Sequence, residues 1–139
     1  MSSLPERIRY DYAVLRVVPR VERGEFMNVG VIVWCPQARH LALDYECDRA
    51  RLLALDPDLD LPMLEAALAA LKQQCIAPGP AAARTPRQTF DFLVATKSAV
   101  LQGSPVHSGL TADAQGLVDE LMSRFVRRPA RSGACGAEG

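Results

Sequence analysis

Two apolar runs, Tyr10 to Pro19 and Glu25 to Cys35, are separated only by residues 20–24, and this spacing constrains the fold more than any other feature. Both runs are rich in Val, Ile, Leu and Tyr, residues that suit a pleated and half-buried backbone. So short a link returns the chain antiparallel, and Gly24 can take the positive φ that a tight turn needs. Pro36 to Arg39 predicts a second turn. Beyond it His40 to Glu46 alternates, with Leu41, Leu43 and Tyr45 on one side and His40, Ala42, Asp44 and Glu46 on the other. The opening of the chain therefore predicts a three-stranded antiparallel meander with one buried and one wet face at its last strand.

Helical signals follow. Asp48 to Leu55 predicts a short helix ended by Asp56-Pro57, and Asp60 is placed to cap a longer one reaching about Cys75. Leu61, Leu64, Leu68, Leu71 and Cys75 recur at spacings of three and four, which aligns them in one stripe. Pro78 to Ala83 is a small-residue linker. Thr85-Pro86-Arg87-Gln88 has the pattern of a capping box with Pro at the first helical position, opening a helix through Phe90, Phe92 and Leu93. Ala99 to Gln102 predicts a fourth strand. A final helix is expected from about Ala112 to Arg127, capped by Thr111 and burying Leu117, Val118, Leu121, Met122 and Phe125. The expectation is an α+β chain with a single domain over residues 1–128: an antiparallel sheet, the meander plus a fourth strand, with helices packed on one face. Residues 129–139, rich in Ala, Gly and Ser without periodicity, are expected to form a disordered tail.

Against this apolar frame several polar residues stand out. Arg16 shares a strand face with Tyr12, Val14 and Val18, so a guanidinium stands in a greasy row and needs a carboxylate, amide or anionic ligand beside it. Asn28, the single Asn of the chain, falls on the second strand in the series Phe26, Asn28, Gly30, Ile32, Trp34. With residues 20–24 as the loop, Pro19 lies opposite Glu25 and Arg16 opposite Asn28. Gly30 in mid-strand implies a bulge or a close approach of backbone or ligand. Arg23 and Glu25 stand at the loop end of the same ribbon. The group reads as a buried Arg–Asn–Glu network that fixes register, as an anion or carboxylate site built on planar Arg donors, or as part of a catalytic site.

A second cluster, Ser104-Pro105-Val106-His107-Ser108-Gly109-Leu110-Thr111, precedes the expected last helix. Backbone N–H groups at a helix start attract anions, Gly109 would admit a close ligand, and His107 could donate a hydrogen bond or serve as an acid or base. An ordinary capped loop is the alternative. Lys97, between Thr96 and Ser98, would add a cation beside this cluster or simply be an exposed lysine. Adjacent His107 and Ser108 side chains usually diverge, and no G-x-S-x-G elbow occurs, so a serine-hydrolase arrangement is not expected. His40 beside Asp44 and Glu46 reads as a solvated edge residue. Asp56, Asp58 and Asp60 lack the central Gly and distal Glu of a calcium loop. Four cysteines show no CxxC and no zinc spacing, so neither metal nor cofactor is implied.

Composition narrows the partners. Hydrophobic residues make up 49% and charged ones 23%, enough for a core and against wholesale disorder. Sixteen basic residues balance sixteen acidic ones, so no net field draws the chain to nucleic acid or an anionic membrane. The longest apolar run, Val29 to Cys35, is far short of the ~20 residues a bilayer requires. With no apolar leader at the start and no cysteine framework, a reduced, cytoplasmic protein is expected.

The stretch from Tyr10 to Val31, with Arg16, Pro19, Arg23, Glu25, Asn28 and Gly30, strongly resembles the opening of a bacterial family known as domain of unknown function 3037. Gln102-Gly103-Ser104-Pro105-Val106-His107-Ser108-Gly109-Leu110 resembles that family's second block. The resemblance spans about Tyr10 to Pro129 and picks out those six residues together with Gln102, Ser104, His107 and Gly109. Family members usually carry an Arg-Ser-Thr-like segment before the second block, where this chain has Thr96-Lys97-Ser98-Ala99, so a point charge stands in place of a planar fork. Relatives are often encoded beside a kinase-like protein of the toxin–antitoxin type, which implies a protein partner.

Two functional readings follow. One is a non-enzymatic accessory or binding module that recognises an anionic group or a protein partner through Arg16, Arg23, Asn28 and Gly30 and through Lys97, Gln102, Ser104, His107, Ser108 and Gly109. The other is an enzyme acting on a phosphate ester or nucleotide, with His107 and Glu25 as the acid–base pair and Arg16 and Arg23 as clamps. It requires His107 to lie within about 10 Å of Arg23 and Glu25.

Overall fold

A computed structural model describes residues 6–76, 84–95 and 100–127. Lys97 and the tail 129–139 lie outside the described residues, as does the whole linker from Pro78 to Ala83.

The meander forms as its sequence requires. Strand β1 (Ile8–Val17) turns through a single 3-10 turn at Val21–Arg23 into β2 (Met27–Cys35), and β3 (His40–Tyr45) completes it. All pairings are antiparallel. Gly24 takes the left-handed conformation, φ 68°. Helices α1 (Arg49–Leu55) and α2 (Leu61–Ile76) follow, then α3 (Pro86–Ala95), β4 (Leu101–Gly103), β5 (His107–Thr111) and α4 (Leu117–Phe125).

Each early helix starts where a side chain satisfies its free amides. Asp48 accepts from the Arg51 amide and Asp60 from that of Met63. Thr85 and Gln88 form the reciprocal capping box, the Gln88 amide donating to Thr85 Oγ1 at 3.1 Å and the Thr85 amide to Gln88 Oε1 at 2.9 Å.

The sheet runs β3-β2-β1-β4, with β5 also paired to β1. Strand β1 thus carries β2 along one edge and, along the other, β4 opposite its C-terminal half and β5 opposite its N-terminal half. The break between β4 and β5 is patched by Ser104, whose amide donates to the Val14 carbonyl while its Oγ accepts from the Val14 amide.

Alternation along β1 and β2 separates two cores. Ala13, Leu15, Val17, Ile32 and Trp34 face Leu52 of α1, the Leu61–Leu64–Leu68 stripe of α2, and Phe90 and Leu93 of α3. Tyr10, Val31 and Val33 point the other way, onto Leu117, Leu121 and Met122 of α4. Each such fully buried large side chain contributes about 1.5–3 kcal/mol. The α+β class and antiparallel sheet agree with the sequence. The packing of helices on one face does not: α4 occupies the opposite face, because β2 is apolar on both sides and needs cover on both.

The C-terminal third also departs from expectation. His107 to Thr111 is a strand, not a loop, and α4 starts at Leu117, five residues later than Ala112. Thr111 does not cap it. Its Oγ1 accepts from the Asp113 amide, and Asp113 Oδ1 accepts from the Gly116 amide, which closes a turn ahead of the helix. Gly109 is held by β1 rather than by a ligand: a Cβ there would lie 2.6 Å from the Tyr10 hydroxyl oxygen, so the phenol ring occupies that space.

Register slips once. Leu15 pairs with Gly30 but Arg16 pairs with Asn28, so Val29 is an extra residue in β2. A Cβ on Gly30 would stand 2.8 Å from the Asp44 carbonyl oxygen of β3. Gly30→Ala is therefore expected to lower stability by about 1–3 kcal/mol. Urea titration should show a lower midpoint at unchanged slope.

Candidate functional site

The bulge decides which side chains meet. Gly30, Ile32 and Trp34 stay on the α1–α3 side with Val29, which is fully buried there. Asn28 goes to the other side, where its Nδ2 donates to the Phe125 carbonyl at the end of α4, 3.0 Å away. The expected single series Phe26, Asn28, Gly30, Ile32, Trp34 is thus split in two, and Asn28 joins the face of Arg16.

On that face a polar row crosses three strands. Arg16 lies directly opposite Asn28 on β2 and Gln102 on β4. Its guanidinium stacks on the Phe26 ring at 4.4 Å, with Phe26 itself exposed. Arg16 Nε and Asn28 Oδ1 are both buried and without a hydrogen-bond partner. The Arg–Asn–Glu network is not formed, because Glu25 is taken by Arg23 and the Asn28 amide by α4.

His107 stands on the same face, opposite Tyr12, with the two rings 5.5 Å apart. Tyr12 in turn stacks on Phe125 at 5.6 Å, and Arg124 lies over that ring at 5.1 Å. Burial, and next the adjacent Tyr12 phenol, push the Tyr10 hydroxyl above its usual value. Helix α4 packs over β2 and β3. It reaches β1 at Tyr10 and Tyr12, and further along this face His107 and Phe26 are exposed while Arg16 and Gln102 are half-buried.

The two sequence blocks therefore share one sheet face, yet not one reaction centre. His107 sits opposite Tyr12, four residues from Arg16 along β1, which is about 13 Å of strand. Glu25 lies beyond the other end, since Met27 pairs with Val17. Direct proton transfer by both groups to one substrate needs hydrogen-bond reach of each, and this separation does not give it.

Arg23 and Glu25 form an exposed ion pair at 2.8 Å. The hydrogen bond from Arg23 holds the Glu25 carboxyl below its ordinary value. They edge a separate cleft of about 330 Å³ with Arg20, Asp56 and Asp58. Ser104 mends the ladder as described. Ser108 points to the α3 side and donates to Asp11 Oδ1 at 2.6 Å.

Asp11, which sequence reasoning misses, is a further polar residue of the same kind as Arg16, a charge in an apolar row, here Asp11, Ala13, Leu15, Val17. It is 2% exposed and receives hydrogen bonds from Arg9, Ser108 and Arg87. It ties β1 to β5 and to α3. Cysteine chemistry finds no support among the described residues. Burial raises the thiols of Cys35 and Cys47 and pushes that of Cys75 up to about 12, which disfavours the thiolate nucleophile. Nor do three or more His, Cys, Asp or Glu residues converge to hold a metal among the described residues.

Fold and site together define a small α+β protein with a mixed polar and aromatic sheet face left open beside α4. Residues 12–126 match the model of the family described as Protein of unknown function (DUF3037), and the chain belongs to that family. No curated protein and no solved structure matches the chain. No described helix is long and apolar enough to cross a membrane.

The Asp11 cluster yields a graded expectation. Asp11→Ala removes the shared acceptor and should cost about 2 kcal/mol. Arg9→Ala, whose side chain is 65% exposed, should cost less than about 1 kcal/mol. Parallel urea titrations of the two variants check the order.

Proposed function

We propose that this protein is a non-enzymatic binding module that grips an anionic group on a protein partner with the open face of its sheet. The carrying observation is the pair of buried, unpartnered atoms, Arg16 Nε and Asn28 Oδ1, on directly opposed residues. Most buried polar atoms in folded proteins are hydrogen-bonded, and each orphan costs about 1–3 kcal/mol. A ligand that supplies the missing partners recovers that energy.

The missing partners are of two kinds. Arg16 Nε lacks an acceptor, and a carboxylate or phosphate oxygen suits it. Asn28 Oδ1 lacks a donor, which a fully ionised free anion does not have. A polypeptide carrying an acidic group presents both an anion and backbone N–H donors, so the pair favours a protein over a free ion. Gln102 on the far side of Arg16 offers a further amide. Exposed Phe26, stacked on the Arg16 guanidinium, gives an apolar surround that excludes water from such contacts. The distance between His107 and Glu25 supports binding over phosphate-ester chemistry.

The family resemblance implies a kinase-like protein as the partner class. Calorimetric titration of the chain with such a kinase-like protein should show a complex. Arg16→Ala should weaken it about ten- to a hundredfold, the equivalent of roughly 1.5–3 kcal/mol for a charge-assisted hydrogen bond. Arg23→Ala, at the separate cleft, should leave it within about threefold, the range of a solvent-exposed pair. Equal binding by wild type and Arg16→Ala would overturn the reading, as would the absence of any complex.

A further inference from the structure

A second surface lies across the sheet, on the side of α1–α3. Between the α1–α2 connection, α2 and the start of β4 runs a groove of about 350 Å³. Its walls are apolar, with Leu59, Leu64, Val100 and Met63 among them, and Met63 is 69% exposed. A large apolar side chain in solvent beside an apolar groove marks a place where another surface gains by covering it.

The rim says what kind of surface. Asp56, Asp58 and Asp60 edge the groove, and among the described residues none of them is ion-paired. Of the two arginines that share the neighbouring cleft with Asp56 and Asp58, Arg23 is engaged by Glu25, while Arg20 forms an ion pair with none of the three carboxylates among the described residues. Asp58 and Asp60 are exposed and Asp56 is half-buried, so the rim presents negative charge at its surface. Lipid headgroup surfaces and nucleic acids are anionic and would be repelled by such a rim. A second copy of this chain, neutral overall, would have to bring a cationic apolar patch. What fits is a segment with a large apolar side chain flanked by Lys or Arg.

We propose that this groove docks a basic amphipathic segment of a partner protein, its apolar anchor beside Met63 and its cations on Asp56, Asp58 and Asp60. This is helix-in-groove recognition, with charge setting orientation and partner choice. It does not depend on the Arg16 face, which lies on the other side of the sheet and selects the opposite charge.

The test uses the full chain, isotopically labelled, with two synthetic amphipathic peptides, one of Leu and Lys and one of Leu and Glu. The Leu–Lys peptide should shift amide resonances of residues 56–67 and 100–101, more weakly as salt is raised. Combined Asp56→Asn, Asp58→Asn and Asp60→Asn should lower its affinity at least fivefold. Asn keeps the acceptors used by the Asp58 and Met63 amides, so the fold should persist. Met63→Lys, which places a cation at the groove, should weaken binding as well. Equal shifts with the Leu–Glu peptide, shifts mapped elsewhere, or none at all would each overturn the proposal. So would binding to anionic vesicles in preference to the Leu–Lys peptide.

Discussion

The extra residue in β2 is the constraint on which the rest of the molecule turns. Without it Asn28 would point into the core beneath α1–α3 and Val29 outward, since side chains alternate strictly along a regular strand. With it Val29 is buried, Asn28 reaches the end of α4, and Arg16 acquires a polar neighbour across the ladder. Gly30 permits this because the β3 backbone passes where a side chain would stand. One local irregularity thus joins the sheet to α4 and shapes the polar face.

Strand β1 distributes charge between the two sides of the sheet with little margin. Asp11 and Arg16 both sit in apolar rows, on opposite faces, and they meet opposite fates. Asp11 is saturated by Arg9, Arg87 and Ser108, which makes it a tie between strands and helix. Arg16 has an aromatic ring below it and an unpartnered nitrogen. The first arrangement is what a structural charge looks like when its needs are met. The second is a charge whose hydrogen bonding is incomplete, and that contrast within one strand favours a binding role for Arg16.

Legibility followed the range of the interactions. The meander, the pairing of Arg16 with Asn28, and the caps at Asp60 and Thr85 depend on residues close in sequence, and they are legible directly. The bulge is not, because Val29 to Cys35 is apolar on both faces and shows no alternation to interrupt. Strand β5 has the sequence of a helix-start loop. Its pairing partner lies about a hundred residues earlier, and a short run containing Gly109 has little strand character of its own until Tyr10 packs over it. The placement of α4 opposite the other helices left no mark either, since periodicity fixes a helix's buried stripe but not the side of the sheet it meets. Of the candidate residues, Arg16, Asn28, Gln102 and His107 share a face, whereas Ser108 turned away to Asp11 and Arg23 with Glu25 edged a different cleft.

Strand β4 links the two surfaces. Leu101 contributes to the groove edged by Asp56, Asp58 and Asp60, while its neighbour Gln102 lies beside Arg16 on the reverse. Adjacent residues of a strand face opposite ways, so a slip by one position would exchange them. Only three residues long, β4 has few ladder bonds of its own, and its place on β1 is secured at both ends: the Val18 amide donates to the Val100 carbonyl at 2.6 Å, and Ser104 bonds twice to Val14. Ser104 therefore holds the register that keeps the apolar groove edged by Asp56, Asp58 and Asp60 on one side of the sheet and the Arg16–Asn28–Gln102 row on the other, and on the proposed readings it is a positioning residue for both.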